Sequence, residues 1–348
     1  MSAKIAALVA AFLVALAVRG PASADDTLTV IGGSNPAAFF EVIDDVAEAG
    51  GYFKQQHLTV TKAYAGAAST CAQLVASGKG DVCSLSVEPL LQGYERGLRL
   101  QMFFARDPRY DYVIGVLPDS PIRTLADFRG KVLGETNVGS AVEPAVISML
   151  QGAGLKRGDY TFVSTGSGPQ GLSAFLNKKV DALAFPSVEL QAYEVWANLK
   201  LRFFYHPILK DIGNVGFAAT PAVIAAKGDA LKRYCRAMAE AAIVIRENPT
   251  VAARDFLLVS GQKVTPDAVA QEARVLEESQ ADLAGVDPAS KRIGALSLQG
   301  LGVYSTFFHD YGLASEVVPV ASIATNQFID YANDFDHQAF IAQAKQLR

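Results

Sequence analysis

The sequence has few of the side chains that hold metals or carry covalent chemistry. Its 348 residues include only 3 cysteines and 4 histidines. The histidines, at positions 57, 206, 309 and 337, form no cluster along the chain, and the cysteines are dispersed as well. Zinc and haem sites need such clusters, so we expect no metal and no other cofactor. No Ser/His/Asp spacing indicates a hydrolase either.

The sequence also lacks an excess of either charge. Its 31 Lys and Arg residues nearly balance 35 Asp and Glu residues, which gives a formal charge of −4. We therefore expect no nucleic-acid partner and no general affinity for anionic membranes. Half of the residues are hydrophobic, which excludes a disordered chain, and the length is sufficient for two domains.

The N-terminus has an apolar run that is too short to span a bilayer. Lys4 precedes an unbroken apolar stretch at residues 5–18, whereas a membrane helix needs about 20 apolar residues. Ala22, Ser23 and Ala24 fit the small-residue pattern of a cleavage site. We predict a cleaved secretory signal peptide at residues 1–24 and an exported, soluble protein, with an uncleaved anchor as the alternative.

Export would place the cysteines in an oxidising compartment. Cys71 lies on a predicted helix and Cys83 on the strand that follows it. Either these two residues form a disulfide or both are small buried thiols. Cys235 lies in a helical pattern, and we interpret it as a core residue.

Short apolar runs alternate with helical stretches in the first half of the chain. Strands are predicted at residues 28–31, 58–63 and 81–85, with a helix capped by Ser69 and Thr70 before the third. This alternation indicates an α/β fold with a mostly parallel sheet. The final third is predicted to be helical, at residues 229–248, 249–259, 266–283 and 297–311.

Part of this pattern recurs about a hundred residues later. Residues 81–88 (DVCSLSVE) resemble residues 181–189 (DALAFPSVE), with one residue inserted. Likewise, residues 28–31 with their glycine-rich loop match residues 131–133 with theirs. We predict two similar α/β lobes that present polar loops at the carboxyl ends of their strands, where open sheets bind ligands.

Two extended segments, at residues 112–117 and 214–220, flank the second unit. If the chain crosses between the lobes there, lobe 1 comprises residues 25–117 and 215–348, and lobe 2 comprises residues 118–214.

Several motifs resemble a known family. Residues 49–60 (AGGYFKQQHLTV) resemble the A-x-x-x-G-Y-F-x-x-x-G-L-x-V opening of ABC-transporter solute-binding proteins. The closer match is the branch grouped with thiamine-pyrimidine synthesis proteins, which includes nitrate, sulfonate, taurine and pyrimidine-precursor binders. Residues 119–131 (DSPIRTLADFRGK), 325–329 (TNQFI) and 333–336 (NDFD) are similar to further elements of that branch. The resemblance covers roughly residues 27–345.

The resemblance implies a two-lobed periplasmic binding protein (type II). In that architecture each lobe is a mixed sheet flanked by helices, and a two-strand hinge joins the lobes. Such a protein closes on a small molecule and delivers it to an ABC permease at the inner membrane, and we expect a monomer. The alternatives are an enzyme like the thiamine-pyrimidine synthases, which carry a cysteine-rich motif not seen here, and a periplasmic sensory protein.

The predicted helix starts and strand ends supply the candidate ligand-binding residues. Helix N-termini suit an anion such as a sulfonate, nitrate or aromatic acid, although Ser, Thr and Asn also act as ordinary caps. These candidates are Ser34, Asn35, Phe39, Ser69, Thr70, Asn137, Gly139 and Ser140. Strand ends add Ser86, Glu88, Phe185 and Glu189. The glutamates could accept from a ligand N–H or stabilise their own helices, and the aromatics could stack on a planar, pyrimidine-like ligand or belong to the core.

Two further features have plainer explanations. Arg109 could bind an anion, but a solvated surface arginine is the simpler interpretation. Residues 166–171 (GSGPQG) match the G-x-G-x-x-G pattern of dinucleotide-binding loops. Pro169 removes an N–H that such a loop would use, so we predict a turn that leads into a helix facing the cleft.

Overall fold

The computed structural model describes residues 26–34, 41–107, 109–137, 140–279 and 291–348. The predicted signal peptide and three candidate ligand residues, Asn35, Phe39 and Gly139, lie outside these ranges. None of the helices in the described part of the chain is long and apolar enough to span a membrane.

The strands form two sheets of five strands each, in the orders β2-β1-β3-β10-β4 for sheet 1 and β7-β6-β8-β5-β9 for sheet 2. The strands are β1 Asp26–Gly32, β2 Leu58–Tyr64, β3 Val82–Ser86, β4 Gln101–Asp107, β5 Tyr112–Val116, β6 Val132–Glu135, β7 Thr161–Ser164, β8 Ala182–Pro186, β9 Arg202–Phe204 and β10 Val215–Ala219.

The two sheets have the same topology. In sheet 1, β1 pairs in parallel with β2 and β3, while β10 runs antiparallel between β3 and β4. In sheet 2, β6 pairs in parallel with β7 and β8, while β5 runs antiparallel between β8 and β9. The antiparallel strand of each sheet is the one that follows a crossing from the other sheet. This confirms the predicted two-lobed fold with mixed sheets.

The repeated aspartates of the two sequence units occupy equivalent positions. The Asp81 N–H donates to the Thr29 carbonyl at 2.8 Å, and the Thr29 N–H donates to Asp81 Oδ2 at 2.8 Å. Asp181 exchanges the same two bonds with Val132, both at 2.8 Å. Each aspartate therefore joins the start of the third strand of its unit to the neighbouring first strand, which gives the sequence repeat a structural counterpart.

Helices cover both sheets. They are α1 Val42–Ala49, α2 Tyr52–Gln55, α3 Ala68–Ala76, α4 Val87–Glu95, α5 Val142–Gly152, α6 Gly168–Leu176, α7 Ser187–Ala197, α8 Pro221–Ala226, α9 Gly228–Glu247, α10 Pro249–Val259, α11 Pro266–Glu278, α12 Leu298–Asp310, α13 Val320–Ile323, α14 Ile329–Asn333 and α15 His337–Ala344. Short 3-10 turns occur at Leu125–Phe128 and Arg157–Asp159.

The helices of the final third agree with the prediction at most of their ends. Proline in the first turn of α10 and α11 suits a helix start, and the caps Asn248 and Thr265 accept from N–H groups three residues on. The predicted end of the third helix, at residue 283, lies outside the described residues. The apolar run at residues 238–245 is buried within α9, as expected for a core helix.

The strands shift one boundary of the predicted lobes. The predicted division assigned residues 112–117 to lobe 1. However, β5 pairs with β8 and β9 and so belongs to sheet 2. The chain therefore crosses between β4 and β5, before Tyr112, and returns between β9 and β10. The division of the rest of the chain into lobes remains a prediction. We call sheet 1 with its helices the first lobe and sheet 2 with its helices the second lobe.

The disulfide question is answered by the structure. Cys71 and Cys83 form a disulfide that joins α3 to β3, with their Cα atoms 5.8 Å apart. Cys235 is a free, buried thiol in α9, in agreement with its interpretation as a core residue.

Candidate functional site

A cleft lies between the two lobes, at the carboxyl ends of the parallel strands. It contains about 650 Å³ of space between the atoms, a volume that includes space open to solvent. Loops and helix starts of both lobes line it, as the βαβ pattern predicts. From the first lobe the lining residues are Gly33, Ser34, Glu41, Gly66, Ala67, Ala68, Ser84, Leu85 and Ser86, and from the second lobe Tyr112, Thr136, Asn137, Ser140, Ala141, Val142, Ser167, Pro186 and Glu189.

The structure brings five of the predicted ligand residues together in this cleft. These are Ser34, Ser86, Asn137, Ser140 and Glu189. Their position is compatible with ligand binding, which remains a prediction for each of them.

Four other predicted ligand residues do not line the cleft. Phe185 is fully buried and packs against Tyr193, with ring centroids 5.9 Å apart. Thr70 is exposed and Ser69 half-buried, because α3 already starts at Ala68 and Ala67 takes the cap position that the sequence assigned to them. Glu88 is buried where the chain crosses between the lobes. Arg109 is exposed and does not line the cleft, in agreement with a surface arginine.

Glu41 is a lining residue that sequence reasoning missed. It precedes α1, is 2% exposed and accepts a hydrogen bond from the Ser34 hydroxyl at 2.6 Å. Burial, followed by repulsion from Asp44, raises the pKa of Glu41 to about 8. Its carboxyl is therefore largely protonated at neutral pH. An acidic residue at a helix start looks like an ordinary favourable first-turn charge in the sequence, so no signal distinguished it.

Glu189 lines the cleft from the second lobe, as Glu41 does from the first. It accepts hydrogen bonds from the Gly168 N–H at 2.7 Å and the Tyr193 hydroxyl at 2.8 Å. Burial raises the pKa of Glu189 to about 7. The Gly168 N–H is thus already used within the protein, and neighbouring Ser167 lines the cleft at the start of α6. Residues 166 and 167 thus lead into the first turn of α6, and the start of this helix faces the cleft, as predicted.

Asn137 joins the two lobes across the cleft. Its Nδ2 atom donates to the Gly66 carbonyl at 2.9 Å. Nearby, the Ser140 hydroxyl accepts from the Thr136 hydroxyl at 3.1 Å and from the Val142 N–H at 3.2 Å. Ser140 therefore organises the start of α5 in addition to lining the cleft. The direct bond from Asn137 to Gly66 shows that the lobes are in contact here.

The two crossing segments meet in a buried hydrogen-bond network. Asn214 Oδ1 accepts from the Asp111 N–H at 3.1 Å, and Asn214 Nδ2 donates to Glu88 Oε1 at 3.1 Å. The Tyr304 hydroxyl donates to the same oxygen at 2.5 Å. Complete burial raises the pKa of Glu88. The structure thus corrects the prediction for Glu88, since its partners are the crossing segments and a C-terminal helix.

The comparison with family models identifies the chain at the family level. The model described as "NMT1/THI5 like" matches residues 44–252, which is more than half of the sequence. The chain belongs to this family. None of the curated proteins compared matches the sequence.

Solved structures share the fold of this NMT1/THI5-like chain. The alkanesulfonate-binding protein SsuA from Xanthomonas axonopodis pv. citri, bound to MOPS, is 19% identical, with 87% of this chain and 99% of that chain covered at a TM-score of 0.66. The periplasmic aliphatic sulphonate-binding protein SsuA from Escherichia coli is 16% identical, with 85% and 91% covered at a TM-score of 0.62.

A nitrate-binding protein is similar as well. The periplasmic NrtA from Synechocystis PCC 6803 is 11% identical, with 92% of this chain and 89% of that chain covered at a TM-score of 0.60. These similarities confirm the fold of a two-lobed binding protein.

Proposed function

We propose that this chain is a periplasmic solute-binding protein, which captures a small molecule between its lobes and delivers it to an ABC importer. The observation that carries the proposal is the cleft itself, which is lined from both lobes and bridged by the bond between Asn137 and Gly66. A ligand that contacts both walls would stabilise the closed arrangement over an open one, which is the physical basis of capture.

The crossing segments have the properties of a hinge. Among the described strands, the connection from β4 to β5 and the connection from β9 to β10 run from one sheet to the other, and Asn214 joins them through the Asp111 N–H. In each sheet, the residue before the antiparallel strand also accepts a hydrogen bond from the first residue of the helix that follows the neighbouring parallel strand. The Asn214 carbonyl accepts from the Val87 N–H at 2.8 Å, and the Asp111 carbonyl accepts from the Ser187 N–H at 2.7 Å. Rotation about this point would open the cleft while both sheets stay intact.

Export and delivery follow from the same proposal. The predicted signal peptide at residues 1–24 supports a periplasmic location, and proteins of the same fold are named as periplasmic binding proteins. We propose that the mature chain acts as a monomer, that its lobes correspond to sheets 1 and 2, and that its partner is an inner-membrane permease. We also propose that it is not an enzyme, since capture requires no group beyond those that line the cleft.

The test is to purify the mature chain gently from its native host and identify any retained molecule by mass spectrometry. That molecule should raise the melting temperature when added back to the stripped protein, because it binds only the folded state. It should also reduce the radius of gyration in solution scattering. A molecule that is consumed during incubation would indicate an enzyme instead. Uptake that is unchanged after gene deletion would favour a sensory protein.

A further inference from the structure

Apart from Tyr112, the ionisable side chains of the described residues that line the cleft are carboxyl groups. Among the described lining residues, Glu41 and Glu189 are the ionisable side chains other than the tyrosine, and no lysine, arginine or histidine is present. Residues 35–40 and 138–139, which adjoin lining residues in the sequence, contain no cationic side chain either. Among the described residues that line the cleft, a bound anion would therefore meet two carboxyl groups and no cationic side chain.

Arg106 does not change this balance. It is 1% exposed, and its guanidinium group forms hydrogen bonds with Asp107, including one from Nε to Oδ1 at 2.8 Å. Asp111 lies 3.7 Å from the same guanidinium. Arg106 lowers the pKa of Glu41, but burial and repulsion from Asp44 are larger influences and raise it. Its charge is thus neutralised by its own neighbours, and it does not line the cleft.

A buried hydroxyl also lines the cleft. Ser86 ends β3 and is 1% exposed. Burial raises the pKa of Glu88 and of Tyr112, and hydrogen bonds with the Ser86 hydroxyl lower both in part. A hydroxyl oxygen can also accept a hydrogen bond from a ligand N–H.

We propose that the cleft binds a small organic cation whose N–H groups pair with Glu41 of the first lobe and Glu189 of the second. The ligand class is a primary ammonium, amidinium or guanidinium compound, and the inference rests on the proposed function. Hydrogen bonds between such groups and carboxylates are about twice as strong as neutral ones. Because the two carboxyls lie on opposite lobes, one cation would attract both walls and favour closure. Leu85, Val142 and Pro186 provide apolar surface for the carbon part of the ligand.

This ligand class predicts a specific dependence on pH. The groups that act on Glu41 are Ser34, Asp44, Asp45 and Arg106, with Tyr64 also close by, and the groups that act on Glu189 are the Gly168 N–H and Tyr193. With the pKa of Glu41 at about 8 and that of Glu189 at about 7, both groups hold protons in the empty cleft for much of the neutral range. A cation favours the ionised carboxyls, so its binding releases protons and its affinity rises with pH. An anion would show the opposite slope.

The experiment compares ligands of equal shape and different charge by titration calorimetry with the mature protein. Benzamidine, benzamide and benzoate form one such set, and acetamidine, acetamide and acetate form a smaller one. We expect each amidinium to bind at least about tenfold more tightly than its amide and carboxylate. Its affinity should increase between pH 6 and pH 8. Glu41→Gln and Glu189→Gln should each weaken amidinium binding by about tenfold or more, whereas Glu316→Gln, at an exposed carboxylate, should leave it unchanged.

Several results would overturn this inference. They are tighter binding of the carboxylates or the neutral amides, an affinity that falls with rising pH, and the absence of amidinium binding. An anionic or neutral native ligand, identified by mass spectrometry, would also overturn it while leaving the proposed function intact. The proposed function itself fails if no retained or added molecule closes the lobes, if the molecule is consumed, or if uptake is unchanged after gene deletion. None of these results depends on the charge of the ligand, so the two failures are distinguishable.

Discussion

At the scale of single residues, the position of a carboxyl relative to the helix start determines its role. Glu88 and Glu189 occupy matching positions in the sequence repeat, but Glu88 is the second residue of α4 and Glu189 the third residue of α7. One residue turns a side chain by about 100° around a helix axis. The single inserted residue therefore accompanies a change in direction, with Glu88 facing the crossing segments and Glu189 facing the cleft.

Glu41 should make the stability of the protein depend on pH. Its pKa of about 8 in the fold lies above the ordinary value of 4.5, so the folded state keeps a proton that the unfolded state loses. Its contribution to stability is complete below pH 4.5 and is lost as pH rises to 8. In the wild type, the unfolding free energy should therefore fall between pH 6 and pH 8. In Glu41→Gln this slope should be smaller, by up to about 1.4 kcal/mol per pH unit. Denaturant titrations at several pH values measure both slopes.

The matched control for this prediction is Ser34→Ala. This variant removes the hydrogen bond to Glu41 but keeps the titrating group. It should lower the unfolding free energy while the dependence on pH remains. An equal slope in the wild type and in Glu41→Gln would show that Glu41 does not titrate as a buried carboxyl.

At the scale of elements, backbone geometry overrides local propensity at the start of α3. The sequence suggests Ser69 and Thr70 as caps, yet Gly66 adopts a φ of 71°, Ala67 is extended and the helix begins at Ala68 without a side-chain cap. Gly66 tolerates this left-handed conformation because it has no Cβ atom. The turn brings the start of α3 to the cleft, where Gly66 accepts the bond from Asn137.

The disulfide should stabilise the joined elements α3 and β3. It closes a loop with a sequence separation of 12, and a loop of this size contributes roughly 3 kcal/mol by restricting the unfolded chain. We expect a reductant, or the double variant Cys71→Ser/Cys83→Ser, to lower the unfolding free energy by about 2–4 kcal/mol. Chemical denaturation with and without the reductant measures this loss.

The double variant also serves as the control for the reductant. It should be insensitive to reduction, because Cys235 is the remaining cysteine and is a free thiol. If the reductant leaves the wild type unchanged under conditions that reduce the bond, the disulfide contributes nothing to stability.

At the scale of the whole molecule, the lobes touch at the cleft and also in an apolar cluster. Asn137 reaches Gly66 across the cleft. Elsewhere, Val188 and Ala192 of α7 belong to the same apolar cluster as Val46 of α1. The described arrangement is therefore a closed one in which polar and apolar contacts both hold the lobes together.

Loss of the bond across the cleft should favour an open form. Asn137→Ala removes a hydrogen bond with a net value of about 0.5–1.5 kcal/mol, so the unliganded variant should have a larger mean radius of gyration in solution scattering. Ligand affinity should fall by roughly twofold to tenfold, since the closed form becomes less populated.

Asn177→Ala is the corresponding control. Asn177 Nδ2 also donates to a backbone carbonyl, that of Ser173 at 2.8 Å, but both residues belong to the same exposed helix end. This variant should keep the wild-type shape and affinity. If Asn137→Ala and the wild type scatter identically without ligand and bind equally, the bond does not govern closure.

The sequence by itself determined the elements and their repeat. Apolar periodicity, capping residues and prolines act over a few residues, so they predict α9, α10 and the repeated units around Asp81 and Asp181. Ser34, Ser86 and Asn137 reach the cleft because they follow strands, and strand order brings such ends together. The internal repeat and the family resemblance both predicted the two-lobed plan, which the structure confirms.

Only the tertiary structure decided which side chains face the cleft and with what charge. The acidic character of the site depends on Glu41, whose pKa rises through burial by segments distant in sequence. The role of Glu88 depends on Asn214 and Tyr304, which lie 126 and 216 residues away along the chain. Burial and long-range hydrogen bonds are properties of the assembled fold, and no local pattern in a sequence encodes them.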